Sequence, residues 1–186
     1  MPIPTKAPTP DALQREALCR AAADLDQAEG SGQPYVISQA LAQMARCYRG
    51  LDAAETAESY LKQALVWGRM TGSVDHTVDL LCELCEAAAR VAEQHEAAED
   101  TPGAGHAARE RARDHAFEAT HLAGRVADPR WEIKVLLRIS DVLDRCGDRD
   151  DAVSLQTRAL RLMSGDLAAS LPDVATLPGM AGLADG

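Results

Sequence analysis

Cys82 and Cys85 form the one Cys-x2-Cys pair in the chain, and thiols at that spacing serve redox or metal chemistry. A redox pair needs a depressed thiolate pKa, usually supplied by a helix N-terminus that follows a strand. Structural zinc needs four ligands, hence two further donors at matched spacing. Here the pair lies about two turns into a helical pattern, with His76, six residues upstream, as a nearby helper. Free Cys packs as a small hydrophobe, so burial of both thiols between helices is the simpler reading. A metal or redox protein built on Cys82 and Cys85 stays as an alternative.

The other chemistry-bearing residues do not converge. His76, His95, His106, His115 and His121 never fall three or four apart, the spacing that sets two imidazoles on one helical face. They read as surface residues. Asp114 beside His115 imitates an acid–base pair, but adjacent helical residues diverge and no nucleophile accompanies them. No catalytic residue, metal ligand or cofactor is assigned, and the chain reads as a non-enzyme.

Charge placement says more. Glu93, Glu96, Glu99 and Asp100 close one helix, and Arg109, Arg111 and Arg113 follow the start of the next. Both clusters oppose the helix dipole. Facing each other across the Glu99–Gly105 loop, they would pair, giving either a salt-laced hairpin tip or a projecting docking element. The chain as a whole has 186 residues and a net charge of −10, with 46% apolar and 26% charged residues. A folded core is expected, while general nucleic-acid or anionic-membrane binding, which needs a positive surface, is not.

Ala supplies 35 of the apolar residues, and only six residues are aromatic, a composition for closely packed helices rather than sheets. The N-terminal MPIPTKAPTP has no apolar run of the secretory kind, and no stretch reaches membrane-helix length. An odd set of five cysteines argues against a disulfide framework and for a reducing cytoplasm. Arg outnumbers Lys 16 to 3, which with the Ala content hints at a bacterial source.

The elements that must position these residues are seven helices. The first starts at Asp11 behind Thr9 and Pro10, with Leu13, Ala17, Leu18, Ala21, Ala22, Leu25 and Ala28 on one face, and ends at Gly30-Ser31-Gly32. The second runs from Pro34 to Gly50 with Ile37, Leu41, Met44, Ala45 and Tyr48 inward, and the third from Ala53 to Met70 with Ala57, Leu61, Ala64 and Leu65 inward. The fourth spans Val74 to Ala98, and the fifth extends to Val126. Asp128 caps the sixth, which ends before Gly147, and the seventh covers Arg149 to Met163. Residues 1–10 are expected to be disordered, 11–166 to form the domain and 167–186 a flexible tail.

Two windows repeat with a constant offset of 95 residues. Leu41-x2-Met44-Ala45-x2-Tyr48, continued by Ala57-x3-Leu61-x2-Ala64, matches Leu136-x2-Ile139-Ser140-x2-Leu143, continued by Ala152-x3-Gln156-x2-Ala159. Gly68-Arg69-Met70 and Gly124-Arg125-Val126 add a local echo. This large–small spacing resembles the tetratricopeptide repeat family over Ser38–Thr71 and Ile133–Asp166. The 95-residue offset exceeds two 34-residue units, so the middle hairpin is enlarged. Leu81-x2-Leu84-Cys85-x2-Ala88 fits its first helix, and Ala112, Ala116 and Ala119 its second.

The resemblance implies an all-α, right-handed α-solenoid of about seven helices: three hairpins plus an N-terminal capping helix. It implies a concave groove lined by Gln39, Arg46 and Arg49, then Asp79, Glu86 and Arg90, then Lys134, Asp141 and Arg145. Family members that clamp a chaperone's C-terminal carboxylate use a Lys and an Asn one turn apart. Ala42 and Arg46 stand at those places, so that activity is not implied. The expected function is a protein or peptide interaction module, adaptor or chaperone-like, with room for self-association into a homo-oligomer. A ligand-sensing repeat domain, its pocket lined by Trp67, Tyr60 or Trp131, is the second alternative.

Overall fold

The computed structural model describes residues 10–98 and 103–170, with side chains described for residues 12–98 and 103–165. The expectations for the first nine residues, for Glu99–Pro102 and for the chain beyond Ser170 lie outside the described residues. The fold is all-α, with seven helices and no strand among the described residues: α1 Pro10–Ser31, α2 Pro34–Gly50, α3 Ala54–Met70, α4 Val74–Ala98, α5 Ala104–Ala123, α6 Pro129–Arg145 and α7 Arg149–Ser170. Each helix packs on its neighbours in the chain, and α4 also touches α6.

Local chemistry explains most boundaries. Pro34 and Pro129 occupy first-turn positions, where a missing N–H costs nothing. Asp128 caps α6 by accepting from the Arg130 and Trp131 amides at 3.0 and 3.2 Å. Gly147 (φ 86°) follows α6 in the left-handed conformation that glycine adopts freely. The fifth helix stops at Ala123 rather than Val126, with Gly124 as its C-cap residue. The seventh runs to Ser170 rather than Met163: Gly165 alone does not break a helix, and the next proline is Pro172.

The core follows the small–large pattern. Leu41, Ala45, Ala57, Leu61 and Ala64 are buried, as are Leu136, Ser140, Ala152 and Ala159 at the matching positions, whereas Gln156, which matches Leu61, is exposed. Ala112, Ala116 and Ala119 let α5 lie close against α4, which is itself buried along most of its length. Gly68 is a close-approach site, since a Cβ there would sit 2.6 Å from Leu80 Cδ1. The first helix departs from expectation: Ala21 and Ala28 are buried and Leu18 and Leu25 half-buried, but Leu13, Ala17 and Ala22 are exposed. Among the described residues α1 packs mainly on α2, so much of its apolar stripe meets no other described helix.

Candidate functional site

A concavity of about 800 Å³ opens between α1, α2 and α4. Asp24, Gln27 and Ser31 come from α1, Tyr35, Gln39, Gln43 and Arg46 from α2, and Asp75, His76, Asp79 and Glu83 from α4. Helical periodicity sets these positions: Tyr35, Gln39, Gln43 and Arg46 recur three or four residues apart on one face of α2, with the buried Ile37, Leu41 and Ala45 turned the other way.

His76 lines the concavity and rests on Ser38 beneath it. The fully buried Ser38 hydroxyl donates to the Ala64 carbonyl at 2.8 Å, so its lone pair faces His76 Nε2, also at 2.8 Å. A hydroxyl has one proton to give, so the imidazole is the donor in that contact, as the Nε2–H tautomer. Burial pushes the His76 pKa below its ordinary value, against the opposing charges of Asp79 and Glu83. With Asp79 one turn away the trio imitates a nucleophilic triad, but the chemistry is absent. The serine proton is committed to a backbone carbonyl, and the oxygen has no solvent access. Ser38 and His76 hold α2 against α3 and α4.

The walls are polar. Arg46 makes a two-pronged pair with the buried Glu83 carboxylate, Nη2–Oε1 2.6 Å and Nε–Oε2 3.3 Å. Tyr35 stacks obliquely on His76, with ring centroids 4.9 Å apart, and its hydroxyl accepts from Gln39 at 2.7 Å. The carboxylates of Asp24, Asp75 and Asp79 have no hydrogen bond or ion pair among the described residues. Partial burial pushes the Asp79 carboxyl above its usual range, although Arg138 opposes this.

The nine groove residues read from the sequence divide into three groups. Gln39, Arg46 and Asp79 line the concavity. Arg49 and Glu86 are tied into a bridge across α2, α4 and α6: Arg49 donates to Glu86 at 3.3 Å and Arg138 to the same carboxylate at 2.6 Å. Arg145 pairs with Glu93 on α4 at 2.9 Å, and Arg90 lies 4.0 Å from Asp52. Lys134 and Asp141 are exposed on α6, away from the concavity. Sequence reasoning missed Asp24, Tyr35, Asp75 and His76 as lining residues, because α1, the first turn of α2 and the start of α4 lie outside the repeat's own pattern.

Other expectations change as well. Of the hairpin-tip charges, Arg109 pairs with Glu96 across the tip, but Arg111 turns to Glu58 on α3 and Arg113 to Asp148 and Glu110. His76 serves Ser38 rather than the cysteines, and His76, His95 and His115 are half-buried rather than surface residues. His115 Nε2 is buried without a hydrogen-bond partner. Cys82 and Cys85 are core residues, and burial pushes the Cys82 thiol up to about 12 and the Cys85 thiol up as well. No cluster of three or more His, Cys, Asp or Glu suited to a metal ion occurs among the described residues. Trp67, Tyr60 and Trp131 pack half-buried against the core and do not line the concavity.

No protein-family model matches the chain, and no curated protein matches it. The solved structures similar to it include one titled DHF58 filament, at 23% identity and a TM-score of 0.48, with 86% of each chain covered. Among the described residues no helix is long and apolar enough to cross a membrane.

Proposed function

We propose that this chain is a non-enzymatic, adaptor- or chaperone-like interaction module that holds a peptide or partner helix in the concavity between α1, α2 and α4. On this reading the hairpins are tetratricopeptide-like units in a right-handed solenoid, and α1 closes one end while forming one wall of the site. The module works in a reducing, cytoplasmic setting, consistent with five free thiols.

One observation carries the reading. Ion pairs tie down much of the charge between the packed helices, whereas the concavity keeps Asp24, Asp75 and Asp79 without a partner among the described residues around an open volume of about 800 Å³. A surface with only a structural role gains nothing from holding such groups in a recess. The size suits a few side chains of an extended segment.

The test uses a fluorescent peptide library against the full chain and two variants of exposed residues. Gln43→Trp fills the concavity, and Val66→Trp alters the exposed part of α3. Bound peptides should be lost from Gln43→Trp and retained by Val66→Trp, with both variants melting like the parent. Retention by both variants rejects the site.

A further inference from the structure

We propose, building on the peptide-binding reading above, that the concavity seats an arginine-bearing segment of the partner protein. The cavity is walled by the exposed Asp24 of α1 and Asp75 and Asp79 of α4, whose carboxylates have no hydrogen bond or ion pair among the described residues. Its lining cation, Arg46, is already matched by Glu83. Burial keeps the His76 imidazole from taking up a proton at neutral pH. With three carboxylates against the one lining cation, the recess presents a net negative potential, softened at Asp79 by Arg138, that attracts a cationic segment. An acidic segment would be repelled from it, and a neutral one would leave the carboxylates unpaired.

Arginine fits better than a simple ammonium for two reasons. The Tyr35 ring, half exposed and set obliquely against His76, offers a face on which a planar guanidinium can stack. The same wall already demonstrates the geometry: Glu83 accepts the Arg46 fork through both of its oxygens. The unpaired aspartates offer the same chemistry to a guanidinium arriving from outside. A second copy of this chain is a poor occupant, because a net charge of −10 opposes its approach to an acidic recess.

The experiment measures fluorescence anisotropy of short labelled peptides carrying two Arg, two Lys, two Glu or none, with the full chain carrying a photo-crosslinker at Gln43 to report where each one binds. The Arg peptide should bind most tightly and crosslink at Gln43. It should weaken roughly three- to tenfold in Asp79→Asn and further in Asp24→Asn/Asp79→Asn, with Asp114→Asn on α5 as the unchanged control. Circular dichroism and melting establish that each variant is folded. Equal affinity for Glu and Arg peptides, indifference to the aspartate variants, or spermidine binding as tightly as the Arg peptide overturns the assignment. If neutral or acidic peptides crosslink at Gln43 and are lost from Gln43→Trp, arginine recognition alone fails. If no peptide crosslinks there, the peptide-binding reading falls with it.

Discussion

Cys82 and Cys85 show how the spacing of two residues mimics a function that their surroundings deny. Both side chains point into the α4 core, and desolvation lifts both thiols, Cys82 to about 12. A thiol protonated at neutral pH and shut off from solvent is a poor nucleophile. Iodoacetamide at pH 8 should therefore label the exposed Cys19 in the native chain, while Cys82 and Cys85 react at least roughly a hundredfold more slowly than they do in guanidinium. Mass-mapped alkylation reads this directly, and rapid native labelling of Cys85 would return the redox alternative to favour. Their burial was legible in the sequence, because both fall on the apolar stripe with Leu81 and Leu84. The role of His76 was not, since Ser38 is 38 residues away and only the packing of α2 on α4 brings them together.

At the scale of the helices, legibility followed local chemistry. Proline, the Asp128 cap and glycine ends are read from a few adjacent residues, and they placed α2, α4 and α6 closely. Cross-helix pairing was far less legible. Arg111 lies near Glu93 and Glu96 in the sequence-level picture of a hairpin tip, yet it reaches the Glu58 carboxylate on α3, at 2.7 and 3.1 Å. Burial alone would raise the Glu58 pKa, but hydrogen bonds and charge from Arg111 and Lys62 outweigh it and hold the carboxyl below its usual range. A sequence gives each helix its charges but not the helix that will lie opposite them. Small residues are different, because their spacing states how closely two helices approach. Ala45 and Ala159 are 1% and 0% exposed, with no room for a larger side chain. Ala45→Leu and Ala159→Leu should each cost roughly 1–3 kcal/mol in urea unfolding, and near-parental midpoints for both would contradict close packing at these two positions.

For the whole molecule, the balance of titrating groups sets how the fold responds to acid. His76 and His115 both have pKa values lowered by burial, so the folded chain keeps them neutral where the unfolded chain binds protons. Above the unfolded value of 6.5 the two states bind alike and stability is unaffected. Below it the unfolded state gains protons first, and stability falls by at most about 1.4 kcal/mol per pH unit for each histidine. The other charges around His115 are Glu58 and Lys62 of α3 and Asp114 and Glu118 of α5. Glu58 adds a loss at lower pH, because its folded pKa lies below 4.5 and its stabilising pair disappears as the carboxyl protonates. Asp79 works the other way, its raised pKa letting the folded state take up a proton early. Melting temperature should thus hold level from pH 8 to about 6.5 and decline toward pH 5. His115→Leu removes one titrating group and the orphaned Nε2 together, so it should flatten the decline without lowering stability at pH 7.5. A decline as steep in His115→Leu as in the parent would mean that the acid sensitivity arises outside the α3–α5 contact, leaving His76 in the concavity as its source.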